Sequence, residues 1–240
     1  MNVLYGEKGV IGIINISSCV NLEPEFYAMA PNGVAMLTAR VSLPQTTPEE
    51  LEKLAKNACG AAYELSTAKP DLIVFACTSG SFINGLGYDA EVSSMLSKAA
   101  GGVPVITTAE AVAKALKALE IKKFALGTPY IETVNSRAES YFTANGFDVV
   151  KMAGLGLDTD YAIGLQTTDR IYDLACRVDC SEAEAVVLSC TNLKTAPIID
   201  KLEQKLQKPI ISANQATLWL ALRSIGITDK LPELGRLMEI

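Results

Sequence analysis

The stretch Asp71-Leu72-Ile73-Val74-Phe75-Ala76-Cys77-Thr78-Ser79 decides the fold, and Glu184-Ala185-Val186-Val187-Leu188-Ser189-Cys190-Thr191-Asn192 repeats it. Each is a short apolar run, rich in β-branched residues, that ends in a cysteine followed by hydroxyl or amide side chains. Unbroken apolarity over so short a run marks a strand buried on both faces, as in a parallel sheet. Two further echoes flank the first. Residues 11–21 resemble 125–135, closing on Val20-Asn21 and Val134-Asn135. Downstream, Pro104-Val105-Ile106-Thr107-Thr108-Ala109 resembles Pro209-Ile210-Ile211-Ser212-Ala213-Asn214. Three matches in one order predict two equivalent halves.

Working outward, strands are expected at Val10-Ile11-Gly12-Ile13-Ile14, at 71–76, at Val103-Pro104-Val105-Ile106, at Lys123-Phe124-Ala125-Leu126, at 185–189 and at Pro209-Ile210-Ile211. Stretches with helical spacing lie between them. Thr47-Pro48-Glu49-Glu50 opens one, with Thr47 as N-cap, Pro48 as first helical residue and Glu50 closing a capping box. Others span 109–119 and about 169–178. Strands alternating with helices make an α/β fold of βαβ units with parallel sheets. Gly101-Gly102 reads as a helix-to-strand turn, and no Gly/Ser-rich linker or charged tail separates the halves. The expected architecture is two pseudo-symmetric α/β lobes with a cleft between them. The first lobe is residues 1–108 plus 215–240, and the second is 109–214.

Composition narrows the function. With 49% hydrophobic and 20% charged residues the chain has ordinary material for a globular core. A net charge of −6 without a basic stripe argues against nucleic acid as a partner. No apolar run is long enough to span a membrane, and Met1-Asn2-Val3-Leu4-Tyr5-Gly6 lacks a signal-peptide layout. A cytoplasmic protein is expected, and there the six cysteines are thiols. The chain has no histidine. That removes the usual general base, the Ser-His-Asp and Cys-His arrangements and the commonest metal ligand. Proton transfer falls to Cys, Asp, Glu, Lys or Tyr.

Cys77 and Cys190 follow directly on buried strands, at the C-terminal sheet edge where open α/β folds bind ligands. Thr78, Ser79 and Ser81 follow the first, Thr191 and Asn192 the second. Backbone N–H groups in such a turn can hold an anion and lower a thiol pKa. A lone buried cysteine is ordinarily only packing. Two at equivalent strand ends are better read as a reactive pair, acting as nucleophile and proton carrier or as acid and base. Cys19, after Ser17-Ser18, is placed at the same edge, and Tyr130, after Thr128-Pro129, can project its hydroxyl into the cleft. Asn214 either binds a substrate oxygen or caps the next helix. Cys59 reads as packing. Cys176 and Cys180 share a helix face only if that helix extends far enough, and no metal is expected there. Gly80, Gly85 and Gly87 make no phosphate loop, and Gly154-Leu155-Gly156 lacks the third glycine of a dinucleotide motif, so no cofactor is indicated.

At Cys77-Thr78-Ser79-Gly80-Ser81-Phe82 and Cys190-Thr191-Asn192-Leu193 the chain resembles the maleate cis–trans isomerase family. That family is a branch of the aspartate/glutamate/hydantoin racemase superfamily, which also holds arylmalonate decarboxylase. The likeness extends through Thr128-Pro129-Tyr130, Val134-Asn135 and Ser212-Ala213-Asn214-Gln215-Ala216-Thr217-Leu218-Trp219. It implies a two-lobed, cofactor-independent enzyme, a homodimer or higher homo-oligomer, acting on a small carboxylate. By that resemblance Cys77 adds to the alkene of a cis-dicarboxylate and Cys190 supplies a proton. Tyr130 and Asn214 help to hold the carboxylates, and Cys19, Thr78, Ser79, Asn135, Thr191 and Asn192 complete the expected substrate contacts. One departure stands out. The family's first loop usually reads Ser-Ser-Asn, whereas here Cys19 follows Ser17-Ser18, with Asn21 two residues on.

Two facing thiols equally suit a racemase of an amino acid or hydantoin. A one-thiol decarboxylase fits less well, because the related decarboxylases lack the first cysteine. A non-catalytic carboxylate-binding protein is the alternative of another class.

Overall fold

Among the described residues, 6–240 of the chain in this computed structural model, eight strands form two four-stranded parallel sheets. The segment 1–5, where a signal peptide was not expected, lies outside the described residues. In chain order the elements begin with β1 (Gly9–Ile16), α1 (Leu22–Met29), β2 (Val34–Val41), α2 (Pro48–Asn57), α3 (Cys59–Ser66), β3 (Leu72–Phe75), α4 (Thr78–Phe82), α5 (Tyr88–Ala99) and β4 (Val105–Thr107). They continue with α6 (Thr108–Ala118), β5 (Lys123–Tyr130), α7 (Glu132–Ala144), β6 (Asp148–Leu157), α8 (Asp160–Gly164), α9 (Thr168–Val178), β7 (Ala185–Leu188), α10 (Ile199–Leu206), β8 (Ile210–Ser212) and α11 (Ala213–Ser224).

The sheet orders are β2-β1-β3-β4 and β6-β5-β7-β8, the same path run twice. Ile13 pairs with Val74 and Val74 with Ile106; Leu126 pairs with Val187 and Val187 with Ile211. The repeated motifs therefore occupy equivalent strands, β3 and β7. Both are buried at every position, which is why their sequences carry no polar alternation.

The two strands not anticipated from sequence are β2 and β6, each an outer strand of its sheet. Val34-Ala35-Met36-Leu37-Thr38-Ala39-Arg40-Val41 is exposed at Thr38 and Arg40, and β6 is only half-buried along its length. A strand with solvent-facing positions has no need of an unbroken apolar run.

Helix termini follow their sequence signals with one exception. Pro48 does open α2, but Thr47 makes no side-chain capping bond, so the expected capping box is not formed there. A full capping box forms instead at α6, between Thr107 and Glu110, and another at α11, between Ser212 and Gln215. Gly101 and Gly102 both take positive φ, as a helix-ending turn requires. Cys59 opens α3 after a break at Ala58 rather than continuing the preceding helix, and α9 ends at Val178, so Cys180 lies beyond it.

The core is continuous. Phe124, Phe142 and Phe147 stack edge to face, and Phe82 of α4 meets Tyr130 of β5 at a centroid distance of 6.4 Å. α11 is buried from Ala213 to Leu222 and lies against α6, α1 and β3. Truncating any of these buried rings costs about 3–5 kcal/mol, so the walls behind the site are stiff.

Candidate active site

Cys77 is the residue at which the chain leaves β3 in extended conformation and turns into α4. As N-cap, its sulfur accepts the Gly80 N–H at 3.4 Å, and the Ser79 hydroxyl lies 4.0 Å away. Gly80 must be small: a Cβ there would stand 3.0 Å from the Cys77 sulfur and 2.9 Å from Leu54. Cys190 stands at the matching point after β7, and its sulfur accepts the Asn192 N–H at 3.4 Å. Tyr130, at the end of β5, lines the same cavity as Cys190 and Ser79. Tyr130 is thus a buried residue of the cleft, not a surface loop tyrosine.

The two thiols line one cavity, together with Ile16, Leu43, Thr46, Thr78, Ser79, Tyr130, Asp160, Ile163 and Thr191. Its volume is about 10 Å3, room for about one water. Leu43 and Asp160 also line an open outer cleft of about 480 Å3, with Ser17, Ser18, Ser42, Pro44, Thr159 and Tyr161. They therefore stand at the junction between outer cleft and inner cavity. The N–H of Thr46, which lines the inner cavity, donates to the Asp158 carbonyl at 2.7 Å, tying the loop after β2 to the loop after β6. Two hydroxyls of the lining, Thr46 Oγ1 and Thr78 Oγ1, are buried and have no hydrogen-bond partner among the described residues. Buried hydroxyls are nearly always paired, so these two mark where ligand oxygens belong.

Of the expected substrate contacts, Thr78, Ser79, Tyr130 and Thr191 line the cavity with the thiols. Cys19, Asn135, Asn192 and Asn214 are placed behind it, bonded to the frame rather than to open space. Cys19 points at the Thr191 carbonyl at 3.9 Å. Asn135 is bonded to the Thr128 hydroxyl and donates to the Tyr130 carbonyl at 3.2 Å, bracing the turn that carries Tyr130. Gly154 permits that brace, since a Cβ there would fall 2.6 Å from the Tyr130 carbonyl oxygen. Asn192 accepts the Val20 N–H at 3.1 Å and donates to the Asp160 carbonyl at 2.8 Å, while Asn21 donates to the Asn192 carbonyl at 2.7 Å. The Val20 and Asn21 bonds cross between the first and second halves of the chain. Asn214 is not the N-cap of α11, a role taken by Ser212, but donates to Glu25 at 2.7 Å and to the Thr191 carbonyl at 3.0 Å.

Sequence reasoning missed Thr46, Leu43, Ile163, Asp160 and Glu25. The first three belong to segments that carry no motif, and only the packing of the two halves brings them to the thiols. Asp160 is preceded by Thr159, which caps the short helix α8, and a helix start was the one signal available. Glu25 is a buried carboxylate in α1, accepting from Asn214, from the Thr195 hydroxyl at 3.0 Å and from the Ala196 N–H at 2.8 Å.

Burial governs the electrostatics. It pushes the Cys77 thiol up to about 12, opposed by the Gly80 N–H, and carries Cys190 well above the usual thiol range, with the nearby Asp160 charge adding to the effect. Cys19 is pushed up to about 11 by the same burial. The Asp160 and Glu25 carboxyls are likewise raised by desolvation, against which their hydrogen bonds work. Burial thus favours the neutral form of all three thiols. Among the described residues no group of His, Cys, Asp and Glu is arranged to hold a metal ion, and no helix is long and apolar enough to cross a membrane.

Comparison with known proteins places this arrangement. The family model described as arylmalonate decarboxylase matches residues 11–238. A maleate isomerase of Geobacillus stearothermophilus is 30% identical, the match covering 95% of this chain and 96% of that protein. A maleate isomerase of Pseudomonas putida is 28% identical with the same coverage. Among solved structures, a Nocardia farcinica maleate cis–trans isomerase variant with a covalently bound succinylcysteine intermediate superposes with a TM-score of 0.91. It is 25% identical, over 96% of this chain and 98% of that one.

Proposed function

The chain belongs to the arylmalonate decarboxylase family, which its maleate isomerase relatives share, and from that premise we propose that it is an isomerase catalysing cis–trans isomerisation of a small cis-butenedioate of the maleate type. The observation that carries the reading is the pairing of Cys77 and Cys190 on one closed cavity lined by hydroxyls. The covalent succinylcysteine in the Nocardia farcinica relative supports a cysteine that adds to the substrate alkene.

In the proposed reaction the Cys77 thiolate attacks one alkene carbon while Cys190 gives its proton to the other. The double bond becomes a single bond, so the chain of the substrate can rotate. Cys190 then takes a proton back from the carbon it protonated, the C–S bond to Cys77 breaks, and the alkene re-forms in the trans geometry. Protons and electrons return to where they began, so the cycle needs no redox partner. Each sulfur accepts a backbone N–H at 3.4 Å, which favours a thiolate, and burial opposes it at both. At Cys77 the Gly80 N–H is the larger influence after burial, whereas at Cys190 the Asp160 charge outweighs the Asn192 N–H, so the proton is held more firmly on Cys190, the end that must donate. The unpaired hydroxyls of Thr46 and Thr78, with those of Ser79 and Tyr130, supply donors for a carboxylate, whereas the Thr191 hydroxyl already donates to the Ala76 carbonyl at 3.3 Å. The cavity has to widen to admit four carbons, and the Thr46–Asp158 bond between loops is the contact that opening breaks.

Incubation with maleate or its half-amide, followed by proton NMR, tests the reading through conversion of cis to trans vinyl signals. Failure to isomerise either compound, together with α-deuteration of an amino acid or hydantoin in D2O, would replace it with racemisation by the same two thiols.

A further inference from the structure

Asp160 is the one carboxylate on the wall of the thiol cavity, and no Lys or Arg forms an ion pair with it among the described residues. Its side chain is almost wholly buried, and the Ser18 hydroxyl donates to its Oδ2 at 2.7 Å. Arg40, on the neighbouring β2, is committed elsewhere: its guanidinium pairs with Glu23 at 3.0 Å and donates to the Ser17 carbonyl at 2.9 Å. The rest of the polar lining consists of the two thiols and the hydroxyls of Thr46, Thr78, Ser79, Tyr130 and Thr191. Asp160 lies at the junction with the outer cleft, while Thr78, Ser79, Tyr130 and Thr191 line only the inner cavity. A ligand placed between the sulfurs therefore meets hydroxyls at its inner end and, at its mouth end, the Asp160 carboxylate, an acceptor and the one charged side chain lining either cavity.

One carboxylate suits the hydroxyl end. A second carboxylate at the mouth meets a like charge in a desolvated setting with no cation between them. A group bearing N–H meets a ready acceptor. We propose that Asp160 is the specificity-determining residue of the site and that the preferred substrate carries a hydrogen-bond donor at the end facing it, as the half-amide of a cis-butenedioate does. The assignment rests on the cavity being the substrate site of a cis–trans isomerase and narrows which member of that substrate class it takes. Asp160 takes no part in bond making; it selects which terminus lies at the mouth and hence the register of the alkene against the two sulfurs.

The test compares maleate with its half-amide, maleamate, on the wild-type enzyme and on Asp160→Asn at about pH 8, where substrate carboxylates are ionised. Two readouts are taken, kcat/KM by NMR and Kd by calorimetry. Wild type is expected to favour the half-amide by about tenfold or more in both, since a buried acceptor left facing a like charge is a strong discriminator. Asp160→Asn presents a donor as well as an acceptor, so maleate gains at least about tenfold and the half-amide does not. Equal treatment of the two compounds by wild type, or a preference for maleate, overturns the assignment without any variant being needed. So does a variant that weakens both compounds alike, or failure of both to bind. If neither compound is turned over yet the half-amide binds better and the asparagine variant reverses the order, the isomerase reading falls and the role of Asp160 stands.

Discussion

Asn214 donates one amide hydrogen-bonding group to two acceptors, the Glu25 carboxylate at 2.7 Å and the Thr191 carbonyl at 3.0 Å. Through it a carboxylate in α1 fixes the turn that carries Cys190, although neither Glu25 nor Asn214 lines the thiol cavity. Thr195 and Ala196 bond the same carboxylate, so four donors converge on one buried side chain. Replacing Glu25 with Ala leaves those donors unpaired and is expected to destabilise the fold by about 3 kcal/mol. Glu25→Gln retains an acceptor and is expected to cost less. Denaturant unfolding read beside kcat/KM checks this, and an Ala variant as stable as wild type would contradict it.

Cys77→Ala and Cys190→Ala are each expected to lower turnover by about a thousandfold or more while costing only about 1 kcal/mol in stability. Melting curves of the two variants, recorded with their rates, separate chemistry from folding. A Cys190→Ala enzyme that keeps most of its rate would remove that thiol from the mechanism.

Alkylation should run opposite to the usual signature of an activated cysteine. Cys19, Cys77 and Cys190 are buried with raised pKa values, whereas Cys59, Cys176 and Cys180 are partly exposed, although burial also raises Cys176. Iodoacetamide at neutral pH is expected to label the second set first, because the reagent meets thiolates at accessible sites. Peptide mapping at short times gives the order. The same raised value at Cys77 predicts that kcat/KM climbs by about tenfold per pH unit just above neutrality, and a flat profile there would show that the thiolate is not limiting.

Stability should fall on the alkaline side. The unfolded chain loses thiol protons near their ordinary value, while the folded chain holds them at Cys19, up to about 11, and Cys77, up to about 12. Above that ordinary value the unfolded state binds fewer protons than the folded one, so unfolding is favoured as pH rises. The expected slope is about 1.4 kcal/mol per pH unit for each such thiol. The contribution is fully present at neutral pH and below. Chemical denaturation between neutrality and the alkaline limit measures it, and Cys19→Ala should shallow the slope.

Gly80→Ala is expected to lower kcat/KM by about tenfold or more with modest loss of stability, since the added methyl must displace either the Cys77 sulfur or Leu54. The Leu54→Ala, Gly80→Ala double variant opens room on one side and should recover part of the rate. No recovery would mean that the N–H geometry at residue 80, rather than crowding, is what the methyl disturbs.

The inner strands of both sheets, the repeat and the strand-end position of Cys77 and Cys190 were legible in the sequence, because burial on both faces leaves an unbroken apolar run and the chain states it twice. Strands β2 and β6 were not, since their exposed and half-buried positions break that signature. The division of the polar residues was likewise invisible. Cys19 and Asn192 follow strand ends as Cys77 and Cys190 do, while Asn135 and Asn214 stand in the first turn of the helices that come next, and only the direction of each side chain sets frame apart from lining. Thr46, Leu43 and Asp160 reach the thiols through contacts made by distant segments, and no local pattern encodes such an approach. Sequence alone therefore determined the apolar strands, the repeat and the strand-end positions of the two thiols, which depend on local burial. Which groups surround those atoms, and with what charge, was decided by the packing of two halves that the chain encodes separately.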